Sequence, residues 1–383
     1  MDQVTPQEEP RQPVRCPSCL QDLYFDDRQL FLPDPRTNEL APWDPSSEPN
    51  GMRRQDQMNR AFLKCPNDSD HPHFLPVPYL LFGRPLTIAF VGQSGTGKTH
   101  LLAAMMAEIG RGGLDSLGIR CRSVNTNQHH TFLSQAVNEL EAGRVLPSTA
   151  PADFVEFTDA LLVTVNGQTR PVAFFDIAGE SLNAPGKITE FLLGVDALIF
   201  VVDALRALRL KQLNPAREAA RIDQHKAGVA DPTFTTVLDR LPREGGLCNV
   251  PTAIVLNKSD VLRFEPPIDH WLREDGPLKS APDPAEVFRE SQDVYAFLTY
   301  HQATSWLRPF IECRRCTLHF ASATGTSPLL PASANGSLGP STPPTAFAGG
   351  VRPRRVLGPL LSVFQMWGLL DAPGLSAPRL REV

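Results

Sequence analysis

RPLTIAFVGQSGTGKTHLLAAMMAEIG, residues 84–110, runs an apolar segment into a glycine-rich turn and then into a helical pattern. The first part (84–92) reads as a strand buried on both faces, because it carries consecutive rather than alternating apolar residues. The last part, extending to about residue 112, reads as an amphipathic helix ending in glycine. The turn between them, Gly92 to Thr99, matches G-x-x-x-x-G-K-[ST] in full. Its glycines let the backbone wrap closely, so that N–H groups aim at phosphate oxygens, and the helix N-terminus adds positive potential. Lys98 is expected to reach the β- and γ-phosphates, and the Thr99 hydroxyl to ligate Mg²⁺. The nucleotide-contacting set expected here is Gly92, Ser94, Gly95, Thr96, Gly97, Lys98, Thr99 and His100.

Further apolar runs follow. Residues 154–180 read as two strands around the turn Asn166-Gly167. Residues 195–204 and 249–260 are continuous apolar runs ending in polar residues, and 316–325 is another strand candidate. A long helix is expected from Pro284 to about Phe310, and a last one over 354–370. Strands alternating with helices predict a mostly parallel α/β sheet covered on both faces.

Two of these runs end in chemistry. Asp176 closes VAFFD and begins Asp176-Ile177-Ala178-Gly179, or D-x-x-G. A carboxylate there can hold Mg²⁺ opposite Thr99, and Gly179 lets a backbone N–H approach a γ-phosphate. The run IVLNKSD (254–260) ends in Asn257-Lys258-Ser259-Asp260, or N-K-x-D. Guanine offers N1–H and a 2-amino group on one edge, and the Asp260 carboxylate can accept both. Adenine would present an acceptor to that carboxylate and be repelled. Asn257 suits the O6 and N7 side, and the Lys258 stem can lie along the base or ribose.

The three motifs, in this order, resemble the GTP-binding core of Ras-like, TRAFAC-type GTPases. The resemblance implies a three-layer sandwich, a mostly parallel sheet with one antiparallel edge strand, and GTP/GDP with Mg²⁺ as ligands. It also implies a loop of small residues near guanine O6, for which Ser322 and Ala323 in FASATG are the candidates. Where many such proteins carry a water-orienting Gln after D-x-x-G, this chain has Glu180. Thr149 is the choice for the residue that covers Mg²⁺, with Thr126 and Ser148 as rivals. Lys98, Glu180 and Thr149 are thus the expected catalytic set. No arginine finger is assigned; Arg144 is only near the right segment.

The chain has 383 residues, 42% of them hydrophobic, enough for a substantial core. Its net charge of -5 gives no reason to expect a broad nucleic-acid or membrane surface. The 37 prolines concentrate near both ends. No apolar run reaches the length of a membrane span, and the polar N-terminus has no signal-peptide core, so a cytoplasmic protein is expected. Four of the seven cysteines form two C-x-x-C pairs, which without an export signal favours metal or free thiols over disulfides. Cys16, Cys19, Cys65 and a histidine resemble a zinc ribbon holding Zn²⁺. His71 is preferred, with His73 as the alternative. Cys313 and Cys316 read as ordinary buried thiols.

The expected organisation is a zinc-ribbon-like segment (1–80), a P-loop GTPase domain (81–325) and a flexible Pro/Gly/Ser linker (326–353). A helix completing the domain (354–370) and a tail (371–383) follow. A zinc ribbon directly ahead of FVGQSGTGKTHLL, FFDIAGE and VLNKSD resembles the bacterial double-GTPase group, in the second of its two paired forms. That resemblance covers roughly residues 60–325 and the last helix. It implies a bacterial regulatory system in which two GTPases work together, with a protein effector or a partner GTPase.

Overall fold

The structure, a computed structural model, describes residues 13–17, 19, 21–34, 36–37, 39–66, 72–147, 158–177, 187–273, 282–329, 345–347 and 349–370. The body is a seven-stranded sheet. In chain order its strands are β1 (Leu86–Val91), β2 (Arg120–Ser123), β3 (Asp159–Val165), β4 (Gln168–Asp176), β5 (Ala197–Asp203), β6 (Thr252–Asn257) and β7 (Cys316–Phe320). Their spatial order is β7-β6-β5-β1-β4-β3-β2. β7, β6, β5, β1 and β4 run parallel, while β3 pairs antiparallel with β4. The strand running against the rest thus lies toward one edge, with the short β2 outside it.

The apolar runs follow from double-sided burial. Ile88 and Phe90 of β1 face one layer, and Ala89 and Val91 face the other. Likewise Ile199 and Val201 of β5 part from Leu198, Phe200 and Val202. The turn between β3 and β4 holds Asn166 at φ 50° and Gly167 at φ 78°, the left-handed pair a two-residue hairpin needs.

One layer contains α1 (Lys98–Gly110), which is buried almost all round, and the C-terminal helix α4 (Gly358–Trp367). The other contains α2 (Pro232–Arg240) and α3 (Pro284–Tyr300). The helix expected to reach Phe310 stops at Tyr300. Gln302 takes φ 58°, which breaks the helical backbone, and two short turns follow to Glu312.

The N-terminal segment folds into a four-stranded sheet ordered Leu40–Trp43, Leu30–Pro33, Phe62–Lys64, Phe74–Pro76. It also forms an exposed helix, Gly51–Arg60. Val14, Leu23, Leu63 and Tyr79 share one hydrophobic cluster with Ala89 and Phe175 of the main sheet.

The described parts of 326–353, expected to be a flexible linker, are held by hydrogen bonds instead. Val145 N–H donates to Thr345 O, Phe347 N–H to Gly143 O, and Leu329 N–H to Ala346 O. Composition could not foresee this, because Gly143 and Val145 lie far from this segment in the chain. Among the described residues, no helix is long and apolar enough to cross a membrane.

Candidate functional site

The glycine-rich turn joins the C-terminal end of β1 to the N-terminus of α1. Gly97 adopts φ 91°, and a Cβ there would come within 2.7 Å of Asn257 Nδ2. Gly92 is crowded too: its Cβ would approach Val201 O at 2.9 Å. The Lys98 ammonium is buried inside the turn, donating to Gly92 O at 2.8 Å and Gln93 O at 3.3 Å. The Thr99 hydroxyl donates to the Asp176 carboxylate, bringing together two oxygen donors from α1 and β4. An all-oxygen pair beside a phosphate cradle fits Mg²⁺ rather than a softer metal.

N-K-x-D sits at the end of β6, two strands across from β1. The Asn257 side chain donates to Thr96 O at 3.1 Å and accepts from Ala323 N–H at 3.2 Å. It therefore bolts the phosphate turn to the loop after β7. Lys258, at φ 60°, donates to Gly95 O at 3.0 Å and pairs with Asp203 at 2.7 Å. Ser322 Oγ donates to Asp260 Oδ1 at 2.5 Å and itself accepts from Gly325 N–H. Burial pushes the Asp260 carboxyl above its ordinary range, against the pull of the Ser322 hydrogen bond and the Lys258 charge.

Lys98, Thr99, Asn257, Lys258, Asp260 and Ala323 line one cleft of about 510 Å³, together with Val145, Leu146, Pro147 and Phe347. His100 lines the same cleft, and its imidazole is held by the chain around it. Its Nε2 accepts from Leu146 N–H at 3.1 Å, and Phe347 packs edge-on at 5.8 Å. Burial, with Lys258 near, pushes its imidazole down to about 4, so it stays a neutral acceptor.

The remaining site residues fall in three groups. Gly179, Glu180, Thr149, Ser148 and His71 lie outside the described residues. Thr126 begins a helix beyond the edge strand β2. Arg144 is exposed and engaged with Glu139. Two residues at the turn went unread in the sequence. Asp231, the N-cap of α2, accepts from Gln93 N–H at 2.8 Å. Arg206, three residues past the end of β5, donates to Gln93 Oε1 at 3.0 Å and Ser94 O at 3.3 Å. The only local signal for Arg206 was a cation just beyond a buried strand.

A second candidate site lies in the N-terminal module. Cys16, Cys19, Cys65 and His73 place one ligand atom each within 4.8 Å of one another. Two hairpins supply them. Val14–Arg15 pairs with Asp22–Leu23, leaving Cys16 and Cys19 in the loop. Lys64 pairs with Phe74, so Cys65 and His73 come next, with Cys65 N–H donating to His73 O at 2.9 Å. Three thiols and an imidazole at this separation fit tetrahedral Zn²⁺. Among the described residues, the histidine in the cluster is His73, which the sequence held as the alternative. Cys313 and Cys316 are buried free thiols, and the backbone of Cys313 pairs in parallel with that of Cys248.

The family model for Double-GTPase 2 matches residues 86–294, more than half of the chain. No curated protein matches. Among solved structures, the chain is similar to the S. cerevisiae Ski7 GTPase-like domain bound to GTP, at 11% identity and a TM-score of 0.33. That alignment covers 76% of this chain and 51% of the other, so the chain spans about half the length of that relative.

Proposed function

The chain belongs to the Double-GTPase 2 family of GTP-binding proteins, and from that premise we propose that it is a regulatory switch hydrolysing GTP to GDP with Mg²⁺. One observation carries the reading. The Asn257 amide ties the phosphate turn to the loop after β7, with Asp260 held beside Ser322 in the same cleft. A base and a triphosphate can thus be read at once.

In this proposal the turn from Gly92 to Thr99 wraps the phosphates, and Lys98 leaves its carbonyl partners for the β- and γ-oxygens. Asp260 reads the guanine edge, Asn257 the O6 and N7 side, and Ser322 and Ala323 the neighbourhood of O6. Thr99 and Asp176, with Thr149 closing over, hold Mg²⁺, which when bound neutralises charge on the phosphate oxygens. Gly179 answers to the γ-phosphate and Glu180 orients water.

Cys16, Cys19, Cys65 and His73 hold a structural Zn²⁺. Residues 1–80, 81–325 and 354–370 act as ribbon, GTPase domain and completing helix. The setting is the bacterial cytoplasm, with a partner GTPase or protein effector. Glu180, where many relatives of this core have Gln, favours one alternative: a GTP-gated binding module with negligible turnover.

The test is a titration with a fluorescent GTP analogue in Mg²⁺, competed with GTP and ATP, for the wild type and Asp260→Asn. GTP is expected to win by about 100-fold or more, and the variant to lose that preference. Equal competition by ATP would sink the guanine reading and leave a general phosphate-loop nucleotidase.

A further inference from the structure

We propose that Arg206 is an arginine supplied in cis to the γ-phosphate, the charge that stabilises the transition state of GTP hydrolysis. This rests on the GTPase reading above and adds to it a group that the motifs do not contain.

Position comes first. Arg206 lies in the short helical turn Ala204–Ala207 that leaves β5, the strand beside β1. Its own carbonyl accepts from Gly228 N–H at 2.7 Å, which anchors the backbone. From there the guanidinium reaches Gln93 Oε1 and Ser94 O, the second and third residues of the phosphate turn. A Cβ on Gly95 would stand 3.3 Å from its Nη2. The side chain lines the same cleft as Lys98, Thr99 and Asp260.

Charge comes second. Among the described residues, the carboxylate that pairs with Arg206 is Asp203, at 3.5 Å. Asp203 is fully buried, caps the following turn through Leu205 N–H and holds Lys258 at 2.7 Å. Asp203 therefore faces two cations, and Lys258 has the closer claim. Asp231 is taken up by the N–H groups of Gln93 and Thr233. Arg206 thus shares its carboxylate with Lys258 and offers a planar fork suited to phosphate oxygens. Its contacts with Gln93 and Ser94 are neutral, so a triphosphate outcompetes them.

The chemistry is a single displacement. The oxygen of water forms a bond to the γ-phosphorus. The bond from that phosphorus to the β–γ bridging oxygen breaks, and its electron pair stays on the β-phosphate of GDP. One water proton remains on the released phosphate and the other passes to solvent or to a phosphate oxygen. Charge grows on the bridging and γ-oxygens as this happens, and a guanidinium held at Ser94 and Gly95 is placed to offset it.

The test uses the full chain and its variants Arg206→Ala and Arg206→Lys. Single-turnover GTP hydrolysis, GDP affinity, thermal melting and trapping of GDP with aluminium fluoride are measured on each. The expected result is a fall in turnover of about ten-fold or more in both variants, with GDP affinity within about three-fold of wild type. Aluminium fluoride should trap GDP on the wild type and fail on Arg206→Ala. If turnover changes less than that, or GDP affinity falls as far as turnover, Arg206 only props the turn and the proposal is wrong. If the wild type binds GTP and GDP but neither hydrolyses nor traps, the GTP-binding reading survives and the role of Arg206 does not. If it binds neither nucleotide, both readings fall together.

Discussion

Asp260 carries a burial cost that the proposed base-reading role would explain. The carboxylate is buried, with Ser322 as its hydrogen-bond donor and Lys258 nearby, and burial still raises its pKa above the unfolded value. The native state therefore keeps a proton that the unfolded chain has already released. Stability falls as pH rises through the window above 3.8 and stays lower beyond the folded pKa. Asp260→Asn keeps the shape and removes the charge. Without nucleotide the variant should melt higher than wild type at pH 7, by a few degrees. The gap should narrow as pH drops toward 4. A lower melting point for the variant, or a gap that ignores pH, would count against a destabilising charge.

At the scale of elements, the C-terminal segment is locked against the loop after β7. Arg354 and Ser322 bridge antiparallel, and Arg352 N–H donates to Thr324 O. Beneath them Arg355 pairs with Glu290 at 3.0 Å and lies 4.9 Å over the Trp271 ring. Glu290 also holds His319 Nδ1 at 2.9 Å and accepts from Phe320 N–H. Burial opposes ionisation of Glu290, but His319 and Arg355 together hold its carboxyl below the ordinary range. Removing one partner strands a buried charge, so Arg355→Ala should cost about 3 kcal/mol in urea unfolding. Because Arg355 neighbours the residue that pairs with Ser322, guanine nucleotide affinity should fall with it. A loss below about 1 kcal/mol would mean that the network relaxes around the gap.

At the scale of the molecule, the N-terminal module is not a bead on a string. Cys16 and Cys65 belong to the same hydrophobic cluster as Phe175 and Phe200 of the central sheet. Losing the proposed Zn²⁺ should therefore unsettle the whole chain. A strong chelator is expected to lower the melting temperature of one cooperative transition and to release about one Zn²⁺ per chain. Cys65→Ser and His73→Ala should reduce the bound metal, and His71→Ala should not. Two separate transitions, with the nucleotide-dependent one untouched by chelation, would show that the module folds apart.

The phosphate turn, D-x-x-G and N-K-x-D were legible because each is a contiguous demand on local backbone and side chains. The alternation of buried strands and helices was legible because burial on two faces writes itself as unbroken apolar runs. Arg206, Asp231, the choice of His73 and the pinning of residues 345–347 were not. Each depends on which distant segments the strand order brings together: Arg206 and Gln93 are 113 residues apart, and Asn257 and Thr96 are 161 apart. The sequence by itself determined that a mostly parallel α/β sheet would form, with a glycine-rich turn after one strand and N-K-x-D at the end of another. Only the tertiary structure decided which further charges meet at the turn, because those contacts are bought by the packing of the whole sheet and leave no periodic trace in any one stretch of chain.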